Sequence, residues 1–150
     1  MPNLLHAELS GLVRHTAFEV HSYLGNGFLE KVYENALANR LRKKGVAVRQ
    51  QEGIVVHDED GTVLGEYFAD LVLNDTVIVE VKAVSALVGE HIAQVINYLK
   101  GSQRDLGLLV NFGAARLQFK RYVFGLCSSV SSVSSVANSS PPEQDARDHA

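Results

Sequence analysis

A chain of 150 residues with a single cysteine, Cys127, cannot close an internal disulfide. Its stability has to come from packing, and a reducing compartment, the cytoplasm, is the expected location. Zinc is disfavoured on the same ground, because the six histidines show no close pairing and only one thiol is present. No apolar run approaches the ~18 residues of a membrane-spanning helix, and the first residues lack the basic flank and apolar core of a signal peptide. No membrane association is expected. Nor is there a large charge of one sign. The formal net charge is −3, of which Glu143, Asp145 and Asp148 against Arg147 contribute −2 near the C-terminus. Bulk electrostatics therefore make no case for nucleic-acid binding.

With 46% hydrophobic and 21% charged residues, the chain can bury an ordinary core. Leu5, Leu9, Leu12, Val13, Thr16, Ala17, Val20 and Leu24 recur at spacings of three and four, which predicts a helix over 4–24 stopped by Gly25-Asn26-Gly27. A second helix is expected from about Phe28 to Lys44, with Leu29, Val32, Tyr33, Ala36, Leu37 and Leu41 as its buried stripe. Its basic end, together with Arg49, and a second group at Arg116, Lys120 and Arg121 are either solvated surface or phosphate contacts. Strands follow at 46–57, 62–73 and 77–82, with Gly65 marking a bend or bulge. A third helix over 88–102 leads to strands at 106–112 and 117–124. This order makes an α/β domain of residues 1–126 around a mixed sheet, the fourth strand parallel to one of the first three. From Cys127 onward, valines isolated in a serine tract cannot offset their ordering entropy, so 127–150 is expected to be a disordered tail.

The segment from Phe68 to Lys82 stands out, because Asp70, Glu80 and Lys82 interrupt two apolar strands joined at Asn74-Asp75-Thr76. With Asp75 at the turn centre, Leu73 faces Val77, Leu71 faces Val79, and Asp70 faces Glu80. Opposed side chains lie about 4.5–5.5 Å apart at Cβ, and like charges there repel. Lys82 projects from the same face as Glu80 and offsets part of this. A hard divalent cation held by oxygen ligands offsets it more economically. Two further groups are candidates. Glu30 occupies the first turn of the second helix, where alone it would complement the helix N-terminus by about 0.3–1 kcal/mol. His91, Gln94 and Tyr98 share one edge of the third helix, which alone would be a solvated edge.

Together these residues resemble a known pattern. Asp70, a spacer and Glu80-Val81-Lys82 resemble the PD-(D/E)XK nuclease motif, with Ala69 where a proline often stands. Gly27-x-x-Glu30-x-x-Tyr33, Gln94-x-x-x-Tyr98 and Asn111-Phe112-Gly113 resemble the bacterial GxxExxY proteins, a branch of that superfamily. The resemblance spans about residues 4–124. It implies a restriction-endonuclease-like αβββαβ core and a nuclease that hydrolyses phosphodiester bonds with Mg²⁺ or Mn²⁺. The expected substrate is nucleic acid, DNA ahead of RNA, with a protein partner as a possible carrier of it. Glu30, Asp70, Glu80 and the Val81 carbonyl would hold the metal, and Lys82 would position or activate the attacking water. Gln94 and Tyr98, with Tyr33 and His91, would orient the site or the substrate. The alternative is a non-catalytic nucleic-acid-binding or scaffolding module that keeps the nuclease fold.

Overall fold

The computed structural model describes residues 6–125 and 130–131. Helix α1 (Ala7–Leu24) ends at Gly25, whose positive φ of 70° leads through Gly27 into α2 (Glu30–Lys43). Three antiparallel strands follow, β1 (Val48–His57), β2 (Val63–Leu73) and β3 (Val77–Lys82). Helix α3 (Gly89–Ser102) crosses over to β4 (Leu106–Asn111), which lies parallel to β3, as expected for a helical crossover. β5 (Gln118–Phe124) returns antiparallel, and the two-residue β6 (Val130–Ser131) pairs with it. The sheet runs in the order β1-β2-β3-β4-β5-β6. Of the Ser-rich tail only β6 is described, and the disorder expected for the remainder falls outside the described residues. Among those residues no helix is long and apolar enough to cross a membrane.

The expected hairpin register is the observed one: Leu71 pairs with Val79 and Leu73 with Val77. Asn74 and Asp75 make this turn with φ of 49° and 58°, a left-handed conformation that Asn and Asp tolerate. The irregularity expected at Gly65 lies beside it, where Leu64 is the extra residue between the Val56–Gly65 and His57–Val63 pairs.

Helices cover both faces of the sheet. Leu71, Leu73, Val77, Val79 and Val81 pack with Leu106, Leu108 and Val110 beneath α1 and α2. Val72, Ile78 and Leu109 pack beneath Val95, Tyr98 and Leu99 of α3. The stripe expected on α2 is turned by one position. Leu29 and Val32 are exposed, while Tyr33, Glu34, Leu37, Ala38 and Leu41 are buried. Two contacts impose this rotation. Tyr33 stacks flat on Phe112 at 4.8 Å, and Glu34 is turned inward to a set of hydrogen-bond donors from β1.

One interruption of the sheet organises the site. Strict alternation would keep Ala69 on the face of Leu71, yet Leu71 belongs to the α1/α2 core and Ala69 to the α3 core. β1 switches at the same level, Val48 packing on one core and Ile54 on the other. Between them stand Gln51, at φ 55°, and Asp70, whose pairing is skipped although Gln50–Leu71 and Glu52–Ala69 keep one register. A left-handed residue inside a strand reverses its pleat, which accounts for the exchange in β1, and β2 exchanges its faces at the same level.

Candidate active site

Beyond the Leu71–Val79 pair, β2 and β3 stop bonding through their backbones and bond through acids instead. The Asp70 N–H donates to Glu80 Oε2 at 3.0 Å, and the Val81 N–H donates to Asp70 Oδ2 at 2.8 Å. Each carboxylate thus takes the place of a ladder acceptor for the other strand, which brings the two acids together in the fork between the strands. Glu80 is only 2% exposed. Burial first, and then the charge of Asp70, pushes its carboxyl up to about 9, against the opposing pull of the Asp70 N–H and Lys82. Asp70 is also raised, mainly by burial and secondarily by Glu34, with the Val81 N–H, Gln51 and Lys82 opposing.

The lysine expected beside this pair is there. Lys82 is half-buried, its charge acts on Asp70, Glu80 and Glu30, and its ammonium has no hydrogen bond or ion pair among the described residues. Glu30 approaches from the start of α2. Its carboxyl is raised, first by partial burial, with Lys82 opposing and Asp70 and Glu34 adding to the rise. Glu30 is exposed to solvent, which screens its carboxyl from these charges more than that of Glu80.

Three residues of the surrounding motifs act as fasteners. The Tyr33 hydroxyl donates to the Gly25 carbonyl and accepts the Phe28 N–H at 3.2 Å. It therefore holds the loop that delivers Glu30, from a fully buried position that no substrate reaches. Asn111 clamps the segment after Lys82, its Oδ1 accepting the Val84 and Gly113 N–H groups and its Nδ2 donating to the Val84 carbonyl. Gly113 has to be glycine, since a Cβ there would stand 2.4 Å from the Ala83 and Val84 backbone.

On the opposite face, Gln94 Nε2 donates to the Tyr98 hydroxyl at 3.0 Å. That bond leaves the phenolic proton free for another acceptor. Burial raises the Tyr98 phenol above its ordinary range, Gln94 opposes, and the carboxylates of Glu80 and Asp70 raise it further, so the ring lies within their field. His91 stands apart from this group. Its Nδ1 accepts the Val88 N–H at 3.0 Å and caps the start of α3. The basic run of α2 is largely occupied as well, with Lys44 and Arg40 on Glu19 and Arg42 on Gln50 and the Val48 carbonyl.

Two residues escaped the sequence reading. Glu34, 3% exposed, is bonded by Lys31, Gln50 and Gln51. Gln51 Nε2 reaches both Glu34 Oε1 at 3.0 Å and Asp70 Oδ1 at 3.1 Å, so it ties α2 to the acid pair. The i, i+4 spacing of Glu30 and Glu34 places both on one side of the helix, and this was the available signal. Nothing in the sequence marks Gln51.

The donor set is composed of hard oxygens, which suit Mg²⁺ or Mn²⁺. Glu80 Oε1 receives no donor among the described residues although the side chain is buried, and a cation would satisfy it. Among the described residues no three carboxylate, imidazole or thiolate groups converge as a complete cage. Mg²⁺ commonly needs only one or two carboxylates, with water and substrate phosphate completing its shell, so the Asp70–Glu80 pair fits such an ion.

Comparison with known proteins bears on the fold as a whole. A family model described as the PD-(D/E)XK nuclease superfamily matches residues 7–122, a span running from the start of α1 into β5. No curated protein matches the chain significantly.

Proposed function

Because the chain belongs to the PD-(D/E)XK nuclease superfamily, we propose that it is a metal-dependent nuclease that hydrolyses phosphodiester bonds in DNA or RNA. One observation carries this reading: Asp70 and Glu80 are locked carboxyl to backbone in the strand fork, beside a Lys82 ammonium that no group among the described residues pairs. A structural ion pair would use the lysine to neutralise an acid directly, whereas here it is left available.

In the proposed site Asp70 and Glu80, with the Val81 carbonyl and Glu30, hold Mg²⁺ or Mn²⁺. Bound there, the ion would polarise the phosphoryl oxygens and lower the pKa of a coordinated water. Lys82 holds the attacking water and the negative charge that develops on phosphorus oxygens. Tyr98, its oxygen already occupied by Gln94, offers its proton to a phosphate oxygen. Gln51 fixes the Asp70 carboxylate so that its free lone pairs stay directed into the fork. Gly27, Glu30, Tyr33, Gln94, Tyr98 and Asn111-Phe112-Gly113, in that order, support placing the chain in the GxxExxY branch.

Incubation of the protein with single- and double-stranded DNA and RNA in Mg²⁺ or Mn²⁺ tests the reading. The expected result is metal-dependent cleavage, reduced at least about 100-fold in Glu80→Ala and Lys82→Ala, since each removes a group acting on the transition state. Cleavage equal in all three proteins would remove the proposed site. A binding module without turnover is the second reading, favoured by the lack of a complete three-group cage among the described residues. Nucleic-acid binding with no cleavage in either metal would select it.

A further inference from the structure

A cavity of about 430 Å³ opens between the outer half of the β1–β2 ribbon and α3. Its wall includes Val55, His57, Tyr67, Asn97, Lys100 and Gln103. Tyr67 is 50% exposed, and its ring is braced on one side by Tyr98, 5.7 Å between centroids at 41°. Tyr98 in turn lies in the field of Glu80 and Asp70. An aromatic path therefore leads from the acid pair to the cavity. Lys100 is exposed, and its ammonium has no hydrogen bond or ion pair among the described residues. The helix lies close to the ribbon at this point, because Gly101 leaves room for Ile54, whose Cγ2 would stand 3.0 Å from a Cβ.

These walls combine a braced aromatic face, an uncommitted cation and two amides that can each donate and accept. Such a combination suits a nucleotide, with a π-face to stack, a phosphate to neutralise and a base edge to bond. The volume is within the range of small-ligand sites. A simple apolar docking groove would have no use for Lys100. A base still stacked inside a duplex presents no free face to Tyr67, so the occupant has to be unpaired.

Building on the nuclease reading, we propose that this cavity is a nucleotide subsite flanking the cleavage centre. It takes one unstacked base of a single strand on Tyr67, with a backbone phosphate on Lys100. The substrate is accordingly single-stranded nucleic acid, or a single-stranded segment of a larger one.

Fluorescence anisotropy of the full chain with labelled octanucleotides in Ca²⁺ tests this, using intact strands and strands with one abasic position at each site in turn. Tyr67→Ala is expected to weaken binding about tenfold. Tyr67→Phe, which keeps the stacking face, should bind like wild type. An abasic position should cost wild type a similar factor at one place in the strand and cost Tyr67→Ala almost nothing there. Lys100→Ala should lower the salt dependence by about one phosphate contact. Thermal melting of each variant confirms that it folds. Unchanged affinity in a folded Tyr67→Ala overturns the subsite, as does an abasic penalty that persists in it, or a blunt duplex that binds as tightly as the single strand. If metal-dependent cleavage continues with unchanged KM in Tyr67→Ala, the subsite falls and the nuclease reading stands. No binding and no cleavage by wild type would remove both.

Discussion

The two halves of the β1–β2 ribbon are made by the same strands and differ in almost everything else. On the side toward β3, Leu71, Val72 and Leu73 are fully buried between helix layers. On the far side Val63, Leu64, Tyr67 and Phe68 are half or more exposed. The dividing line is the pleat reversal at Gln51 and Asp70. One side is core throughout, while the other, apart from Ile54 and Ala69, is largely free to meet a ligand. The acid pair occupies the boundary, where the sheet has already stopped satisfying its own backbone.

Four substitutions test that division. Leu71→Ala, at the buried end, should destabilise the protein by about 2–5 kcal/mol in denaturant unfolding. A cost below about 1 kcal/mol would mean that this half is not the stabilising one. Gln51→Ala should lower metal-dependent cleavage by about 10- to 100-fold while the melting transition stays close to wild type, because the amide orients Asp70 without packing the core. Unchanged cleavage would show that the bridge to Glu34 has no functional weight.

Glu80→Gln tests the boundary itself. In the metal-free protein the Glu80 carboxyl keeps its proton to a pH of about 9, whereas the unfolded chain releases it near the ordinary value of 4.5. Between these limits the folded state binds more protons, so this group makes stability fall as pH rises. The variant has no such proton to lose. Its advantage over wild type, unfolded in the presence of a chelator, should be small at pH 5 and exceed about 1 kcal/mol at pH 9. A gap that does not widen with pH would show that the carboxyl is not held neutral. The smallest effect belongs to the exposed half, where Leu64→Ala should change stability by no more than about 0.5 kcal/mol.

Much of this was legible in the residues. Leu71, Leu73, Val77 and Val79 could face a common core only in one register, and that register carried Asp70 to Glu80. The parallel pairing of β3 and β4 followed from the helix between them. Glu34 was less visible, since a carboxylate on an amphipathic helix ordinarily marks the wet side. It is buried because Lys31, Gln50 and Gln51 surround it, and two of those partners come from a different element. The pleat reversal was beyond reach. Alternation assumes extended backbone at each residue, and glutamine carries no signal for φ > 0, whereas Gly53 two positions on would have been the natural guess. Tyr33 shows a further limit. Its place in a motif left open whether it orients the site or the substrate, while its burial and hydrogen bonds show a hydroxyl used to fasten a loop.

The left-handed backbone at Gln51 has a consequence for anyone selecting variants of this protein for heat resistance. A side chain with a Cβ costs about 1–2 kcal/mol in that conformation, and glycine does not. Screens that reward thermal stability alone should therefore find Gln51→Gly, and its carriers should survive heating better while losing the amide that spans Glu34 and Asp70. Position 51 is a place where the hardiest molecules in such a library and the most active ones would be different molecules.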